Sequence, residues 1–431
     1  MSEDKTAGAG YNISSGQRTY IFVLLCLLYF FDALDRYIVS SLFPFIKKEF
    51  LLTDVQSGML VATVYWSLVI LVVPTSILID RWSRKKTISI MGILWSISSM
   101  ACAFVGNFAQ LFTARTFLGV GEAGYGAGGT AMITGMYRVD KRALMFGIFA
   151  ATAFVANAAA LALGGFIAVR WGWRAAFGIT AVPGVLIAIL FFFVKDYKTV
   201  ELVKTVKEGA EKIKMKAGDA AREFLRTPTL YLTYLAMGMG QFVSVAVITW
   251  LPSYFNRTTG IPMDQAGMKA ASVMMMVVIG APLGGYLCDY FVRKTGLKSR
   301  LYFGTIGLVF AAVLAFVAFW LTQGNVQYVF LMAMALVTIT FAVAATMVTQ
   351  EVIHPGLRAI SAGLSIIVAN ILGGSLAPVV IGAISDAYDL PTAMKILPGF
   401  LAVAAALLFI ASFFFTRDHN RVEKVELQAE S

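Results

Sequence analysis

The chain has 431 residues, of which 59% are hydrophobic and only 14% are charged, and its mean hydropathy is +0.78. Soluble domains carry about 25% charged residues, so this composition excludes a soluble enzyme and fits a bilayer, where each spanning helix needs roughly 20 apolar residues. The net charge of +11 does not indicate a nucleic-acid partner, because the basic residues lie in short clusters between apolar runs.

Apolar stretches of spanning length follow one another along almost the whole chain. In chain order they cover 18–43, 55–79, 87–106, 108–136, 143–169, 174–194, 229–255, 265–289, 301–322, 326–349, 359–384 and 394–416. The pattern predicts an all-α integral membrane protein of twelve transmembrane helices in two six-helix halves. The predicted division is a tail at 1–17, a first half at 18–194, a linker at 195–228, a second half at 229–416 and a tail at 417–431.

The linker mixes many Lys with Glu and Asp. It fits an amphipathic helix lying against anionic headgroups, and a solvated charged loop fits equally well.

Orientation follows from the positions of Lys and Arg, which accumulate in cytoplasmic loops. Basic clusters follow the second, fourth and eighth spans, whereas the loops at 106–110 and 322–325 carry no charge. Lys47 and Lys48 are an exception that Glu49 and Asp54 partly offset. We therefore expect a multi-pass inner-membrane protein with both termini in the cytoplasm, whose first span serves as its own insertion signal.

An internal repeat relates the two halves. Asp80 and Asp289 each stand four residues before a basic pair at equivalent points of the halves, and Arg142 and Arg358 each precede a glycine by five residues. These matches favour a six-plus-six architecture. They also mark candidate residues for a cytoplasmic gate, namely Asp80, Arg84, Arg142, Asp289, Arg293 and Arg358. The positive-inside bias alone would explain the basic residues but not the matched acids.

Ionisable residues inside the spans are the strongest functional signal, since each costs about 2.5–3.5 kcal/mol at a helix centre. They are Asp32, Asp35, Arg36, Arg115 and Glu122. A structural ion pair would account for them without any transport role. However, neighbours on a helix point about 100° apart, so we expect Asp35 and Arg36 each to meet a partner on the fourth span.

Glu122 lies two turns, about 10 Å, below Arg115 on a similar helix face. Burial favours a protonated carboxyl group and a nearby cation favours the ionised one, so we predict proton coupling at Glu122, with Asp35 and Asp32 as further acids. Asp32 could equally be a packing residue. The arginines Arg36 and Arg115 are predicted to bind an anionic substrate through paired N–H donors.

Milder polar residues are further candidates for the substrate cavity. They are Tyr65, Tyr125 and Asn157 in the first half and Gln241 and Asn370 in the second. Hydrogen bonding between helices explains each of them at least as well.

Other chemistries find no support in the sequence. Gly119, Gly121 and Gly124 match a dinucleotide fingerprint in spacing, but they lie within an apolar span without a preceding strand, which favours helix packing. No phosphate-binding P-loop occurs, only two histidines are present, and the three cysteines have no paired spacing. We expect no catalytic residues, no metal and no cofactor.

Two motifs resemble those of the major facilitator superfamily. Residues 80–86, Asp-Arg-Trp-Ser-Arg-Lys-Lys, resemble its signature loop after the second helix, although Ser76 and Ser83 replace the usual glycines. Residues 115–123, Arg-Thr-Phe-Leu-Gly-Val-Gly-Glu-Ala, resemble its signature in the fourth helix. The fifth span has Ala160-Leu161 where the antiporter signature of the family has Gly-Pro, which disfavours drug:proton antiport.

Within that superfamily, two subgroups are similar. Asp35-Arg36 with Arg115 and Glu122 resembles the anion:cation symporters of sugar acids and other carboxylates, whereas residues 119–125 resemble the spinster-like transporters of sphingoid lipids and lysophospholipids. The resemblance implies a secondary transporter working by alternating access. The expected substrate of the protein is a small organic anion or an amphiphilic lipid, and its other expected partners are protons and membrane lipids. The protein is expected to be a monomer.

Overall fold

The computed structural model describes residues 14–195, 223–224, 226–354 and 357–422, apart from Trp82 and Gly124. Within these ranges the chain is helical, with short connections and no strand. Most of the predicted linker and most of both tails lie outside the described residues.

The described part of the first half begins with a long α-helix, which is followed by a short one and then by six further α-helices. The bounds are α1 Ser15–Ile38, α2 Phe43–Phe50, α3 Asp54–Arg81, α4 Arg84–Ala101, α5 Phe108–Glu122, α6 Tyr125–Met136, α7 Val139–Trp171 and α8 Trp173–Phe192. Polar caps fix several starts: the side chains of Ser14, Ser83 and Asn107 accept hydrogen bonds from the backbone N–H groups of Gln17, Lys86 and Gln110.

The second half repeats this pattern of long apolar helices. The bounds are α9 Pro228–Thr259, α10 Met263–Thr295, α11 Ser299–Phe316, α12 Gly324–Glu351, α13 Arg358–Ala369, α14 Ala377–Ala387, α15 Leu390–Met394 and α16 Leu397–Arg421. A π-helical segment, Asn370–Ser375, joins α13 to α14. The predicted all-α membrane fold is confirmed.

Ten of the described helices are long and apolar enough to cross a bilayer. The predicted spans at 18–43 and 108–136 are not among them. Both carry the intramembrane charges, and the second contains two of the helices given above, α5 and α6, neither of which alone has spanning length. The count of twelve therefore remains a prediction.

The chain divides into two compact units. Unit 1 comprises residues 1–205, 248–275 and 378–387, and unit 2 comprises 206–247, 276–377 and 388–431. Unit 1 thus contains the first half together with segments of α9, α10 and α14.

Glycine positions α5 inside unit 1. A Cβ atom at Gly121 would lie 2.5 Å from the backbone N of Trp95 on α4, and one at Gly119 would lie 2.6 Å from the carbonyl oxygen of Val64 on α3. Only glycine, which has no side chain, permits helix backbones to approach this closely. In a bilayer no hydrophobic driving force acts between helices, and close packing of this kind holds them together. These two glycines serve packing, as predicted, and they place Arg115 and Glu122 beside α1 and α3.

Unit 2 is packed in the same way around α11, which lies against α12 and α16. A Cβ atom at Gly284 of α10 would lie 2.6 Å from the Cα of Thr340 on α12. Another at Gly373, in the π-helical segment, would lie 2.4 Å from the Cγ of Gln241.

Candidate functional site

Arg36 is the centre of a buried charge site in unit 1. Its Nε donates to Glu122 Oε2 at 2.8 Å, and an Nη donates to Asp32 Oδ2 at 3.3 Å. Asp32 stands one helical turn before Arg36 on α1, so the two side chains share a face. The side chain of Arg36 is 20% exposed, whereas those of Asp32 and Glu122 are 2% and 0% exposed. Two buried carboxylates therefore share one guanidinium, and that guanidinium remains partly exposed.

The predicted pairing of Arg36 with the fourth span is realised by Glu122, the last residue of α5. Glu122 is fully buried, and a buried carboxylate is unfavourable unless a cation compensates it. Arg36 supplies that cation.

Arg115 was expected to face the substrate, but in this structure its donors are directed at the backbone. Its Nε donates to the carbonyl of Leu60 at 2.9 Å, and its two Nη atoms donate to the carbonyls of Asp35 and Arg36 at 2.8 and 2.7 Å. The residue is 0% exposed. Asp35 and Arg36 lie in the last turn of α1, where carbonyl oxygens begin to lack amide partners. Arg115 thereby ties the end of α1 to α3, and its contact with substrate remains a prediction.

Asp35 meets the fourth span through its backbone and not through its carboxylate, contrary to the expectation for its side chain. Its carbonyl accepts from Arg115, but neither carboxylate oxygen has a hydrogen-bond partner among the described residues, and the residue is 0% exposed. Ser99 of α4 and Thr180 of α8 lie beside it. The reason is helical geometry: Asp35 points away from Arg36, into the packing of α1 against α4 and α8. Its role in proton coupling remains a prediction.

Two buried tyrosines, Tyr65 and Tyr37, lie close to Arg36. The guanidinium lies 5.7 Å from the ring centroid of Tyr65, and the Tyr65 hydroxyl is hydrogen-bonded to that of Tyr37. Tyr65 is only 2% exposed, so its contact with a substrate stays a prediction, and Tyr37 was not singled out from the sequence. The sequence signal that could have identified Tyr37 is its position next to Arg36 at the end of a span.

Tyr125 and Asn157 differ in what they can offer a ligand. The Tyr125 hydroxyl donates to the carbonyl of Leu25, and its ring stacks on Tyr29 at 5.8 Å, with 0% of the residue exposed. The side chain therefore acts in packing here. Asn157 on α7 is partly buried, and its Oδ1 has no hydrogen-bond partner among the described residues. It is the better candidate of the two for a polar ligand contact.

In unit 2 the two predicted cavity residues lie on neighbouring segments. Gln241 of α9 packs against Gly373, and Asn370 begins the π-helical segment that contains this glycine. Such π segments are frequent at functional sites. Their proximity supports a common role, and their contact with a ligand stays a prediction.

Three of the predicted gating arginines, Arg142, Arg293 and Arg358, donate to nearby backbone carbonyls. Arg142 donates to the carbonyl of Tyr137 at 2.9 Å, and Arg358 donates to that of Gln350 at 3.0 Å. Arg293 donates to the carbonyl of Asp289, whose carboxylate lies 3.8 Å from Arg300. The side chain of Asp80 lies outside what the structure describes. Gating by these residues stays a prediction.

Among the described residues, no group of three or more His, Cys, Asp or Glu side chains is placed to hold a metal ion. The three cysteines are free thiols. In the charge site, Arg36 binds one oxygen of each carboxylate, Glu122 Oε2 and Asp32 Oδ2. The other two oxygens, Glu122 Oε1 and Asp32 Oδ1, are buried and have no hydrogen-bond partner among the described residues.

Comparison with known proteins adds the family context. A family model described as Major Facilitator Superfamily matches residues 25–378. The chain is similar to the hexuronate transporter of Bacillus subtilis (strain 168), with 24% identity over 401 residues that cover 90% of this chain and 93% of that protein. It is also similar to protein spinster homolog 1 of Bos taurus, with 25% identity over 419 residues that cover 92% and 78%.

A solved structure shares the fold. The crystal structure of a bacterial homolog to the human lysosomal transporter Spinster, in an inward-facing and occupied conformation, matches with a TM-score of 0.80 at 22% identity. The match covers 94% of this chain and 99% of that chain.

Proposed function

This chain belongs to the major facilitator superfamily, and we propose that it couples protons to the transport of a small organic anion, a carboxylate, by alternating access. It is a multi-pass membrane transporter and not an enzyme. The single observation that carries the proposal is the guanidinium of Arg36, partly exposed and shared by Glu122 and Asp32.

Coupling follows from competition for Arg36. A substrate carboxylate that binds Arg36 through paired N–H donors displaces Glu122 from the same guanidinium. Glu122 then lies at a buried position without its counter-charge, which favours the protonated form. Binding of the anion and uptake of a proton therefore promote each other, and loss of either returns Glu122 to Arg36.

The remaining residues of the site have supporting roles in this scheme. Tyr65 flanks Arg36 and Tyr37 orients its hydroxyl. Asp32 holds the other side of the guanidinium, and Asp35 provides a second buried acid. Arg115 holds the end of α1, and thus the backbone of Arg36, in place. Asn157, Gln241 and Asn370 are the proposed neutral contacts.

The relative named as a hexuronate transporter supports an acid as substrate, because a hexuronate carries the carboxylate that Arg36 would bind. By the distribution of basic residues, we also propose that both termini lie in the cytoplasm, with the inner membrane as the location.

A lipid substrate is the second candidate. Residues 301–350 contain no Asp, Glu, Lys or Arg, so this part of the second half could offer an apolar wall to an acyl chain while Arg36 binds a phosphate. The similarity to protein spinster homolog 1 favours the same possibility. The substrate would then be a lysophospholipid or a sphingoid lipid.

Uptake into proteoliposomes separates the two. Purified protein is reconstituted with an inward-directed proton gradient and offered a labelled hexuronate or a labelled lysophospholipid. Gradient-dependent accumulation of the hexuronate, lost in Arg36→Ala, is the expected result. Transport of the lysolipid alone would overturn the carboxylate proposal in favour of the second candidate.

A further inference from the structure

An apolar groove lies between α11 and α16 of unit 2. Its volume is about 660 Å³, within the range of about 300–1,000 Å³ that is typical of small-molecule sites. The lining residues belong to segments 305–316 of α11 and 398–409 of α16, and among the described lining residues only Thr305 has a hydrogen-bonding side chain. The groove shares no residue with the site around Arg36, which lies in unit 1.

The two sides of the groove differ in the size of their side chains. The α16 side contains the small residues Gly399, Ala402 and Ala406. A Cβ atom at Gly399 would meet no atom within 4 Å, so the space above this helix is empty. On the α11 side, Val309 and Phe316 are 50% and 44% exposed. Because the chain spans a bilayer, an exposed apolar groove of this kind offers contacts to hydrocarbon.

The groove has the length of one leaflet. Segment 305–316 of α11 rises about 17 Å along the helix axis, and so does segment 398–409 of α16. Half of the hydrocarbon core of a bilayer is about 15 Å thick. The groove therefore matches the depth that one acyl chain occupies in the membrane.

A lysine stands at one end of the groove. The ring of Phe316, a lining residue, is stacked on that of Trp320 with the centroids 5.8 Å apart. The Nζ atom of Lys395 lies 5.2 Å from the centroid of the Trp320 ring, and Trp320 Nε1 donates to the carbonyl of Lys395 at 3.0 Å. Tryptophan at the end of an apolar helix is typical of the depth of the lipid headgroups. Trp320 thus holds Lys395 where a headgroup would lie.

The ammonium group of Lys395 can bind an anion while it contacts the indole. It has three N–H donors, so contact of one side with the ring leaves donors for a second partner. The nearby carboxylate of Asp389 is engaged elsewhere, because it caps α15 by accepting from the N–H of Thr392 at 2.6 Å. The end of the groove therefore combines a positive charge with an apolar wall.

We propose that this groove binds one anionic phospholipid of the bilayer, with an acyl chain between α11 and α16 and the headgroup phosphate at Lys395. The lipid is a ligand of the outer face of unit 2 and not the transported substrate. A second copy of the chain fits this surface less well. A two-fold axis along the membrane normal brings the same residues of both copies together, so two Lys395 side chains would lie at one depth and repel each other.

Photochemical labelling tests the site in a bilayer. Purified protein is reconstituted in phosphatidylcholine vesicles with a small fraction of phosphatidylglycerol that carries a diazirine in its acyl chain. After irradiation, mass spectrometry compares adducts on 305–316 and 398–409 with adducts on α8, whose Ile179 and Leu186 are 50% and 57% exposed and report non-specific contact with lipid. No substrate and no proton gradient are used, so failure of this site and failure of carboxylate transport are distinguishable.

The groove of the parent protein should be labelled more strongly than α8. Gly399→Phe fills the groove and should lower its labelling about tenfold or more, since the acyl chain loses its apolar contacts. Gly363→Phe on α13 is the matched control, because a Cβ atom there also meets nothing within 4 Å. This control should stay within about twofold of the parent.

Lys395→Gln tests the headgroup contact. One basic residue near the headgroups favours an anionic lipid about fivefold, so labelling by phosphatidylglycerol should fall by about this factor. Labelling by a phosphatidylcholine probe with the same chain should change less than about twofold. Lys48→Gln, which changes an exposed lysine of α2, is the matched control and should leave both labelling yields at the parent level.

A monodisperse gel-filtration profile shows that each variant is folded. If Gly399→Phe does not fold, Lys395→Gln decides, since it removes only a charge. Groove labelling in the parent no stronger than that of α8, or unchanged labelling in folded Gly399→Phe or Lys395→Gln, overturns the proposal. A dimer seen by native mass spectrometry that Gly399→Phe dissociates would assign the groove to a second copy and overturn it as well.

Discussion

At the residue scale, the two arginines of the first half have different environments, although the sequence assigned them the same role. Arg36 is partly exposed and donates to carboxylates, whereas Arg115 is buried and donates to three carbonyl oxygens. The sequence showed that placing either charged side chain inside a span costs free energy. It could not show what each donates to, because backbone carbonyl groups are present at every position and leave no trace in the residue pattern.

Arg115→Ala is therefore expected to impair folding more than recognition. The change leaves three buried carbonyl groups without their donor, and each unsatisfied buried group costs about 1–3 kcal/mol. We expect a clear fall in the Tm of the detergent-solubilised protein. Arg36→Ala is the comparison and should reduce anion affinity about tenfold or more. Its Tm should also fall, because the buried Asp32 and Glu122 lose their counter-charge, so anion affinity and not Tm separates the two variants. If Arg115→Ala has the wild-type Tm but no longer binds the anion, Arg115 contacts the substrate after all.

At the scale of helices, the apolar pattern predicted the spans well and their interruptions poorly. The bounds of α3, α7 and α9 lie within a few residues of the stretches read from the sequence. The π-helical segment at Asn370–Ser375 was not predicted. It depends on local backbone hydrogen bonding, to which hydropathy is insensitive.

The packing of α5 against α4 provides a prediction at this scale. In Gly121→Ala the added Cβ would lie 2.5 Å from the backbone N of Trp95. The helices would have to separate, and overpacking of this kind costs about 1–3 kcal/mol. Gly147→Ala on α7 is the control, because nothing lies within 4 Å of that position and alanine favours a helix. Thermal unfolding should show a lower Tm for the first variant only, and equal values would contradict the assigned contact.

The contact between α2 and α8 should depend on pH. The pKa of Glu49 lies below its ordinary value because Arg174 and Trp173 donate hydrogen bonds to its carboxylate. A lowered pKa in the folded state stabilises the fold above the ordinary pKa of Glu, about 4.3, and this contribution is lost as the pH falls further.

Glu49→Gln should accordingly lower the Tm slightly at neutral pH, and the difference from wild type should vanish in acid. The effect is small because the side chain is 41% exposed. Thermal unfolding of both proteins between neutral and acid pH measures it. A difference that persists or grows in acid would show that the ionised carboxylate does not stabilise this contact.

At the scale of the whole molecule, the family resemblance read from two motifs is confirmed by the match over residues 25–378. The charge site was predictable because ions are rare in spans, and Asp32, Arg36 and Glu122 do come together. The contacts of Asp54 with Arg257 and Asp386 were not predictable, since these two residues lie 203 and 332 residues from Asp54 in the chain. Nothing local distinguishes an aspartate at a helix start that binds a distant arginine from one that merely faces water.

The central claim is that Glu122 takes up a proton when a substrate anion binds Arg36. Glu122→Gln retains a hydrogen-bond acceptor for Arg36 but cannot ionise, so it separates binding from coupling. Proteoliposomes with this variant are measured for two activities, accumulation of labelled substrate driven by a pH gradient and exchange of labelled for unlabelled substrate without a gradient. We predict that accumulation is lost while exchange remains measurable. Accumulation at the wild-type level in Glu122→Gln would contradict the coupling role assigned to this residue.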